Sequence, residues 1–311
     1  SESIWDYHCF SRADHAADLE ETAIFSIVNN PYGEGWEEMV DDEKGNYDYL
    51  MYADIEFRNP AVREELKRWG KWLYDALHYD GFRLDAVKHI SSRFFNEWLD
   101  AMRAEINPEL FAVGEYWSPG NLPLLLRYIE ATGGRMSLFD ACLQHNFHDA
   151  SKAGKDYELH TIFHDSLISV RPDLTVTVVA NHDTQPLQAL EAPVDPWFKP
   201  IAYALILLRE QGYPCIFYPD LYAGHYTDKG QDGQDHEIFM PQVNKLDLLI
   251  RARRQFAFGE QKDYLDHGSC IGWTRAGDAE HEGCAVLISN DEHGFKNMEM
   301  GSRYAGNQFT D

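Results

Sequence analysis

The chain has 311 residues, 44% hydrophobic and 25% charged, a globular composition with enough apolar content for a substantial core. Asp and Glu total 52 against 27 Lys and Arg, a formal charge of −25. That charge repels phosphate backbones and anionic membrane surfaces, so nucleic acid and membrane partners are not expected, whereas a neutral sugar polymer feels no repulsion.

No apolar run is long enough to span a bilayer. The start, Ser1-Glu2-Ser3-Ile4-Trp5-Asp6, carries no basic segment followed by an apolar one, so no signal peptide is expected, and the absence of an initiator Met leaves room for residues before Ser1. The cysteines are Cys9, Cys142, Cys215, Cys270 and Cys284, an odd number with no Cys-x-x-Cys spacing. They read as reduced thiols, which favours a cytoplasmic location. Cys142 and Cys215 lie in apolar, strand-like runs and read as core fillers.

Residues 1–58 are rich in Asp, Glu, Gly and aromatics with weak periodicity, and read as a loop-rich insertion. Asn59-Pro60 then opens a helix, a capping residue followed by Pro at the first helical position. Val62, Leu66, Trp69, Leu73 and Leu77 recur at helical spacing, and Gly81 follows the helix end. Phe82 to Val87 is a short apolar strand. Ser91 or Ser92 caps a helix with Phe95, Trp98, Leu99, Met102 and Ile106 on one face. The helical spacing of Trp69 and Trp98 places both in the core. Leu110 to Val113 is a strand, Leu124 to Ile129 a helix, and Met136 to Phe139 a strand ending at Asp140. Thr175 to Ala180 is a strand, Trp197 to Glu210 a helix, Cys215 to Tyr218 a strand and Gln242 to Phe256 a helix.

Strands and helices thus alternate five times between Asn59 and Phe258, which predicts parallel strands with helical crossovers. The fold class is α/β, of the (β/α)8 barrel type, incomplete, since a whole barrel needs eight units over about 250 residues. Cys270 to Thr274 and Cys284 to Ser289 are strand-like and begin a small β domain. The expected division is 1–58, 59–258 and 259–311. A five-strand arc presents two unpaired edges, so self-association through them, or cover by another segment, is expected.

Three acidic residues close strand-like runs: Asp85 after Gly81-Phe82-Arg83-Leu84, Glu115 after Leu110-Phe111-Ala112-Val113-Gly114, and Asp183 after Val176-Thr177-Val178-Val179-Ala180-Asn181-His182. Carboxyls at the C-terminal ends of different barrel strands are what glycoside cleavage requires. Arg83 shares a side of its strand with Asp85, and a guanidinium favours an ionised carboxylate, the form a nucleophile needs. Taken alone, Arg-x-Asp is equally an ordinary surface ion pair. Glu115 sits among apolar and aromatic residues, which favour the protonated form that a general acid needs, although alone it reads slightly better as a solvated loop residue. Asn181-His182-Asp183 reads alone either as hydroxyl-binding groups or as a capping turn into Thr184. Lys88, His89 and Trp117 are further candidate sugar contacts, and Lys88 and His89 read singly as solvated loop residues. Asp228 to Asp235 fails the calcium-loop pattern at Gly230 and Phe239 and reads as a solvated acidic loop. Esterase, zinc-protease and phosphate-binding motifs are absent.

Together the motifs resemble the α-amylase family of retaining glycoside hydrolases. Phe82-Arg83-Leu84-Asp85-Ala86-Val87-Lys88-His89 is similar to the family's nucleophile segment, Gly114-Glu115-Tyr116-Trp117 to its acid/base segment, and Val179 to Gln185 to its third carboxylate segment. Gly45 to Asp54 and Gly212 to Tyr222 resemble the bacterial liquefying branch, and Gln185 to Pro193 its cytoplasmic members. The resemblance implies endo-hydrolysis of α-1,4-glucans: Asp85 as nucleophile, Glu115 as acid/base, Asp183 gripping the distorted ring, and Arg83, Lys88, His89, Trp117 and His182 as substrate contacts. It implies α-glucan or maltooligosaccharide as ligand, and calcium on Asp48, Asp54 and the His89 carbonyl. The family's first motif, which completes the calcium site, is missing from the chain. Glu56 and Arg58 occupy positions where some liquefying enzymes place acidic ligands for a second metal cluster. The alternative is a fragment that binds glucan without cleaving it.

Overall fold

The computed structural model of the chain describes residues 6–14, 24–34 and 53–310. It divides into two compact units: Ser1–Ser118 with Pro123–Phe139, and Pro119–Leu122 with Asp140–Asp311.

In the first unit, β1 (Phe10–Asp14), β2 (Ile24–Ser26) and β3 (Ala53–Ile55) form an antiparallel sheet in the order β2-β1-β3. Runs of three to five residues are too short for alternation to register, which is why this region reads as irregular in sequence. Asn59 caps α1 (Pro60–Leu77) by accepting the Ala61 N–H, and His78 ends the helix in the left-handed region at φ 52°. There follow β4 (Gly81–Leu84), α2 (Ser92–Glu105), β5 (Phe111–Gly114), α3 (Leu122–Ala131) and β6 (Ser137–Phe139). β4 pairs with β5 in parallel from Gly81↔Phe111 to Leu84↔Gly114, and β5 with β6 through Val113↔Ser137 and Gly114↔Leu138.

The packing of α1 on α2 corrects one expectation. A Cβ on Gly70 would lie 2.6 Å from the Trp98 ring and 2.9 Å from Met102 Sδ, so the helices meet closely at Gly70. The seam follows Val62 and Gly70, and Trp69, one position or about 100° away around the helix, is 49% exposed. Trp98 is buried, as its spacing predicts, and its Nε1–H donates to the Leu66 carbonyl at 3.0 Å.

The second unit runs α4 (Ala141–Ala153), α5 (Leu167–Val170), β7 (Thr175–Val178), α6 (Lys199–Leu207), β8 (Tyr213–Cys215) and α7 (Tyr218–Tyr222). It continues through a hairpin of β9 (Gly224–Lys229) and β10 (Asp235–Met240), then α8 (Leu246–Phe256) and an antiparallel sheet of β11 (Gln261–Tyr264), β12 (Cys270–Arg275) and β13 (Cys284–Ser289). β7 and β8 pair in parallel from Val176↔Tyr213 to Val178↔Cys215. The core gathers around α6, with Phe147, Phe198, Tyr203 and Trp273 all buried. Trp273 Nε1–H donates to Leu208 O at 3.1 Å, and Arg209 forks Asp263 at 2.8 Å twice, fastening α6 to the β11–β13 sheet.

Three local readings change. Cys142 lies in α4 rather than a strand, because Asp140 caps that helix by accepting the Leu143 N–H. Tyr218 opens a helix behind Pro219, which moves the strand back to Tyr213–Cys215. Of the Asp228 to Asp235 stretch, Asp228, Lys229 and Asp235 end the two strands of a hairpin, and only 230–234 form the solvated turn between them. Three parallel strands in the first unit and two in the second, each set alternating with helices, remain, the pattern of a (β/α)8 barrel.

Candidate active site

β4 delivers Arg83 and, just past its end, Asp85. Arg83 Nη1 donates to the Asp85 carboxylate, and its Nη2 lies 3.2 Å from Glu115 Oε2. Glu115 follows β5, the neighbour of β4, and the ladder continues beyond both strands: Glu115 N–H donates to Leu84 O at 2.9 Å and Val87 N–H to Glu115 O at 3.1 Å. Neighbouring parallel strands in this register necessarily bring the two carboxyls to one edge.

Two backbone features fix the pair. Ala86 sits in the left-handed region at φ 48°, ψ 38°, a conformation costing roughly 1–2 kcal/mol for a residue with a Cβ. The resulting turn brings the Ala86 N–H to 3.3 Å from Glu115 Oε2. Gly114 is needed for space: a Cβ there would lie 2.6 Å from Met136 Sδ and 3.1 Å from Leu138 Cδ2. The side-chain exposures differ sharply, 67% for Asp85 and 8% for Glu115. One carboxyl is open to a ligand and the other is set into the protein.

The other candidates fall around these. Lys88 Nζ donates to the Trp117 carbonyl at 2.9 Å, tying the turn after β4 to the segment after β5. His89 closes that turn, its N–H donating to Ala86 O at 2.9 Å. Trp117 is 7% exposed and so presents little ring face to solvent.

In the second unit, Asn181 Oδ1 accepts the N–H groups of Asp183 at 3.0 Å and Thr184 at 2.8 Å, so the capping turn is formed. His182 Nε2 lies 3.3 Å from Asp183 Oδ2, and both side chains reach solvent. The chain folds back over this turn through Leu190 N–H to Asp183 O, 3.2 Å, and Ala192 N–H to Thr184 O, 3.0 Å. Sequence reasoning missed a further tie. Gln188 Nε2 donates to Asp228 Oδ2 at 2.7 Å and Tyr226 OH to Pro186 O, binding the β9–β10 hairpin to this loop.

Of the expected calcium ligands, Asp48 lies outside the described residues. Asp54 is buried and accepts a hydrogen bond from Ser11 Oγ. Among the described residues no three His, Cys, Asp or Glu side chains cluster as a metal would need. Glu56, fully buried, is already matched by a cation of the chain itself: Arg58 Nε lies 2.7 Å from Oε1 and Nη2 2.6 Å from Oε2, and Asn30 Nδ2 donates to Oε2 at 2.6 Å. The Glu56–Arg58 pair does not fit a second metal cluster.

Residues 2–251 match the family model described as Alpha amylase, catalytic domain. The chain belongs to the α-amylase family. It is 51% identical over 311 residues to the cytoplasmic alpha-amylase of Escherichia coli (strain K12), covering 100% of this chain and 63% of that protein. It is 45% identical to an alpha-amylase of Geobacillus stearothermophilus, covering 99% of this chain and 54% of that one. The chain therefore spans somewhat over half the length of these relatives. A solved alpha-amylase from Geobacillus thermoleovorans, complexed with acarbose, is similar in fold, with TM-score 0.59 and 17% identity over 82% of this chain and 59% of that chain.

Proposed function

We propose that the chain hydrolyses α-1,4-glucosidic bonds within starch- or glycogen-type glucans, with retention of anomeric configuration. Asp85 attacks the anomeric carbon as the bond to the leaving oxygen breaks, giving a covalent glycosyl-enzyme, and Glu115 donates its proton to that oxygen. Glu115 then takes a proton from water as the water oxygen displaces Asp85, restoring both carboxyls. Asp183 grips the distorted sugar ring, and His182 and His89 contact its hydroxyls. Lys88 acts on the segment after Glu115 through the Trp117 carbonyl.

The observation that carries this reading is the single guanidinium of Arg83 serving Asp85 and Glu115 at the ends of adjacent parallel strands. Retention needs the two carboxyls about 5–5.5 Å apart, and a shared arginine is a means to hold such a pair. The test is release of reducing ends from soluble starch, with Asp85→Asn as control. Faster release by the unsubstituted chain supports hydrolysis, and equal rates overturn it.

Calcium held by Asp48, Asp54 and the His89 carbonyl belongs to this reading as a structural ion, and no chemical step runs through it. A cytoplasmic location is supported by likeness to a relative of that name and by the lack of any disulfide among the described residues. No described helix is long and apolar enough to cross a membrane.

A further inference from the structure

α4 carries a row of polar side chains that the reaction proposed above does not use. Gln144, His148, Ser151 and Lys152 stand at i, i+4, i+7 and i+8, along one side of the helix. All four hold the arm by which the chain returns from the Asp183 loop. Gln144 Nε2 donates to Ala192 O at 2.9 Å, and His148 Nδ1 to Pro193 O at 2.8 Å. Ser151 Oγ accepts the Asp195 N–H at 3.1 Å, and Ser151 O accepts the Trp197 Nε1–H at 3.0 Å. Lys152 Nζ pairs with Asp195 Oδ1 at 2.5 Å. These contacts close a ring that runs through Asp183. The Asp140 N–H donates to Val176 O at 2.9 Å, so the cap of α4 is fixed to β7, the strand that leads to Asp183. From Asp183 the chain runs out and back until the Ala192 N–H meets Thr184 O. Ala192 is therefore tied to the Asp183 turn by its N–H and to α4 by its carbonyl.

Gln144 differs from the rest of the row. It is 1% exposed, and its Oε1 is buried with no hydrogen-bond partner among the described residues. A buried acceptor left unpaired costs stability, and an apolar side chain of similar size avoids that cost. Attachment of the arm does not depend on Gln144 either, because Val194 is buried in the core beside α4 residues Leu143, Phe147 and Ala150. What the amide adds is direction. Its N–H fixes the Ala192 carbonyl, and with it the register of the arm against Thr184, the residue after Asp183.

We propose that Gln144 is a positioning residue for Asp183, acting through Ala192 and Thr184. The proposal rests on the role given to Asp183 above, a grip on the sugar ring as it distorts. Gln144 itself is shut away from substrate. Its effect falls on the transition state, where the placing of Asp183 counts, and not on the binding of the undistorted chain.

The test compares the unsubstituted chain with Gln144→Leu, which fills the space without a donor, and Gln144→His, whose Nε2–H reaches about as far from the backbone as the amide. The leucine variant should unfold in urea at an unchanged or higher midpoint, since it removes an unpaired buried acceptor. Its kcat on soluble starch should fall about tenfold or more, with KM within about twofold. Hydrogen exchange at the Leu190 and Ala192 amides should quicken by about fivefold, the loss of one hydrogen bond's hold on the arm. The histidine variant should restore both kcat and slow exchange. In a chain that hydrolyses starch, a leucine variant with kcat within twofold of the unsubstituted chain would overturn the proposal. So would a kcat loss that tracks a lowered urea midpoint and is not restored by histidine. If no chain releases reducing ends, the hydrolysis proposed above falls, and exchange alone decides. Faster exchange in the leucine variant, reversed by histidine, would then uphold the brace on the Asp183 loop, and unchanged exchange would overturn it.

Discussion

Arg83 Nη2 lies 3.2 Å from Glu115 Oε2. The same guanidinium donates through Nη1 to Asp85, so one planar fork sets the relation between an exposed and a buried carboxyl. Lysine supplies charge without the fork. Arg83→Lys should fold normally by circular dichroism and lower kcat on soluble starch on the order of 10²-fold, the loss expected when reacting groups shift by about 1 Å. A kcat within a factor of two of the unsubstituted chain would show that the fork does not position the pair.

Gly114 stands directly before Glu115 and against Met136 and Leu138. Adding a methyl group there forces a shift in a filled space, so Gly114→Ala should cost about 1–3 kcal/mol in urea unfolding. Because Glu115 is the next residue, activity should fall further than the lost stability explains. An alanine variant that is both stable and fully active would contradict the packing account.

The placement of the candidate residues is legible in sequence because strand ends announce themselves. Apolar runs stopping at Asp85, Glu115 and Asp183 are local signals, and Asn59-Pro60 marks a helix start that the structure keeps. What stays hidden depends on distant partners. Trp69 has the right spacing for the core, but the close approach at Gly70 puts the seam elsewhere on the helix. The β9–β10 hairpin has no apolar alternation to find, because loop and helix contacts hold it rather than a buried face. That one arginine serves Asp85 and Glu115 follows from the pairing of β4 with β5, which neither motif reveals alone.

Glu56 is buried and held by Arg58. Removing the cation leaves a buried carboxylate exposed to its full desolvation cost, so Arg58→Gln should destabilise by about 3–5 kcal/mol, and Glu56→Gln/Arg58→Gln by less. Thermal unfolding of the three chains checks this order. Calcium on Asp54 further predicts that EDTA lowers Tm of the unsubstituted chain and leaves Tm of Asp54→Asn unchanged. An EDTA effect that persists in Asp54→Asn but vanishes in the Glu56 variants would move the metal to the pair.

Burial, helped by the charge of Asp140, pushes the Cys142 thiol up to about 11 from the ordinary 9.0. Between those values the unfolded thiol has lost its proton and the folded one keeps it. The unfolded state binds fewer protons there, so stability declines as pH rises from about 9 to about 11. Taking 1.36 kcal/mol per pH unit, this thiol accounts for up to about 2 kcal/mol between pH 8 and pH 10.5. Urea unfolding at both values should show that added loss in the unsubstituted chain and a flatter response in Cys142→Ala. Identical slopes would exclude Cys142 as the source.

The central claim, covalent attack by Asp85 with proton transfer by Glu115, fixes the stereochemistry of the product. Proton NMR of the reducing end first released from a maltooligosaccharide, read before mutarotation, tests it most directly. The account predicts the α anomer from the unsubstituted chain, and release of the β anomer would contradict it.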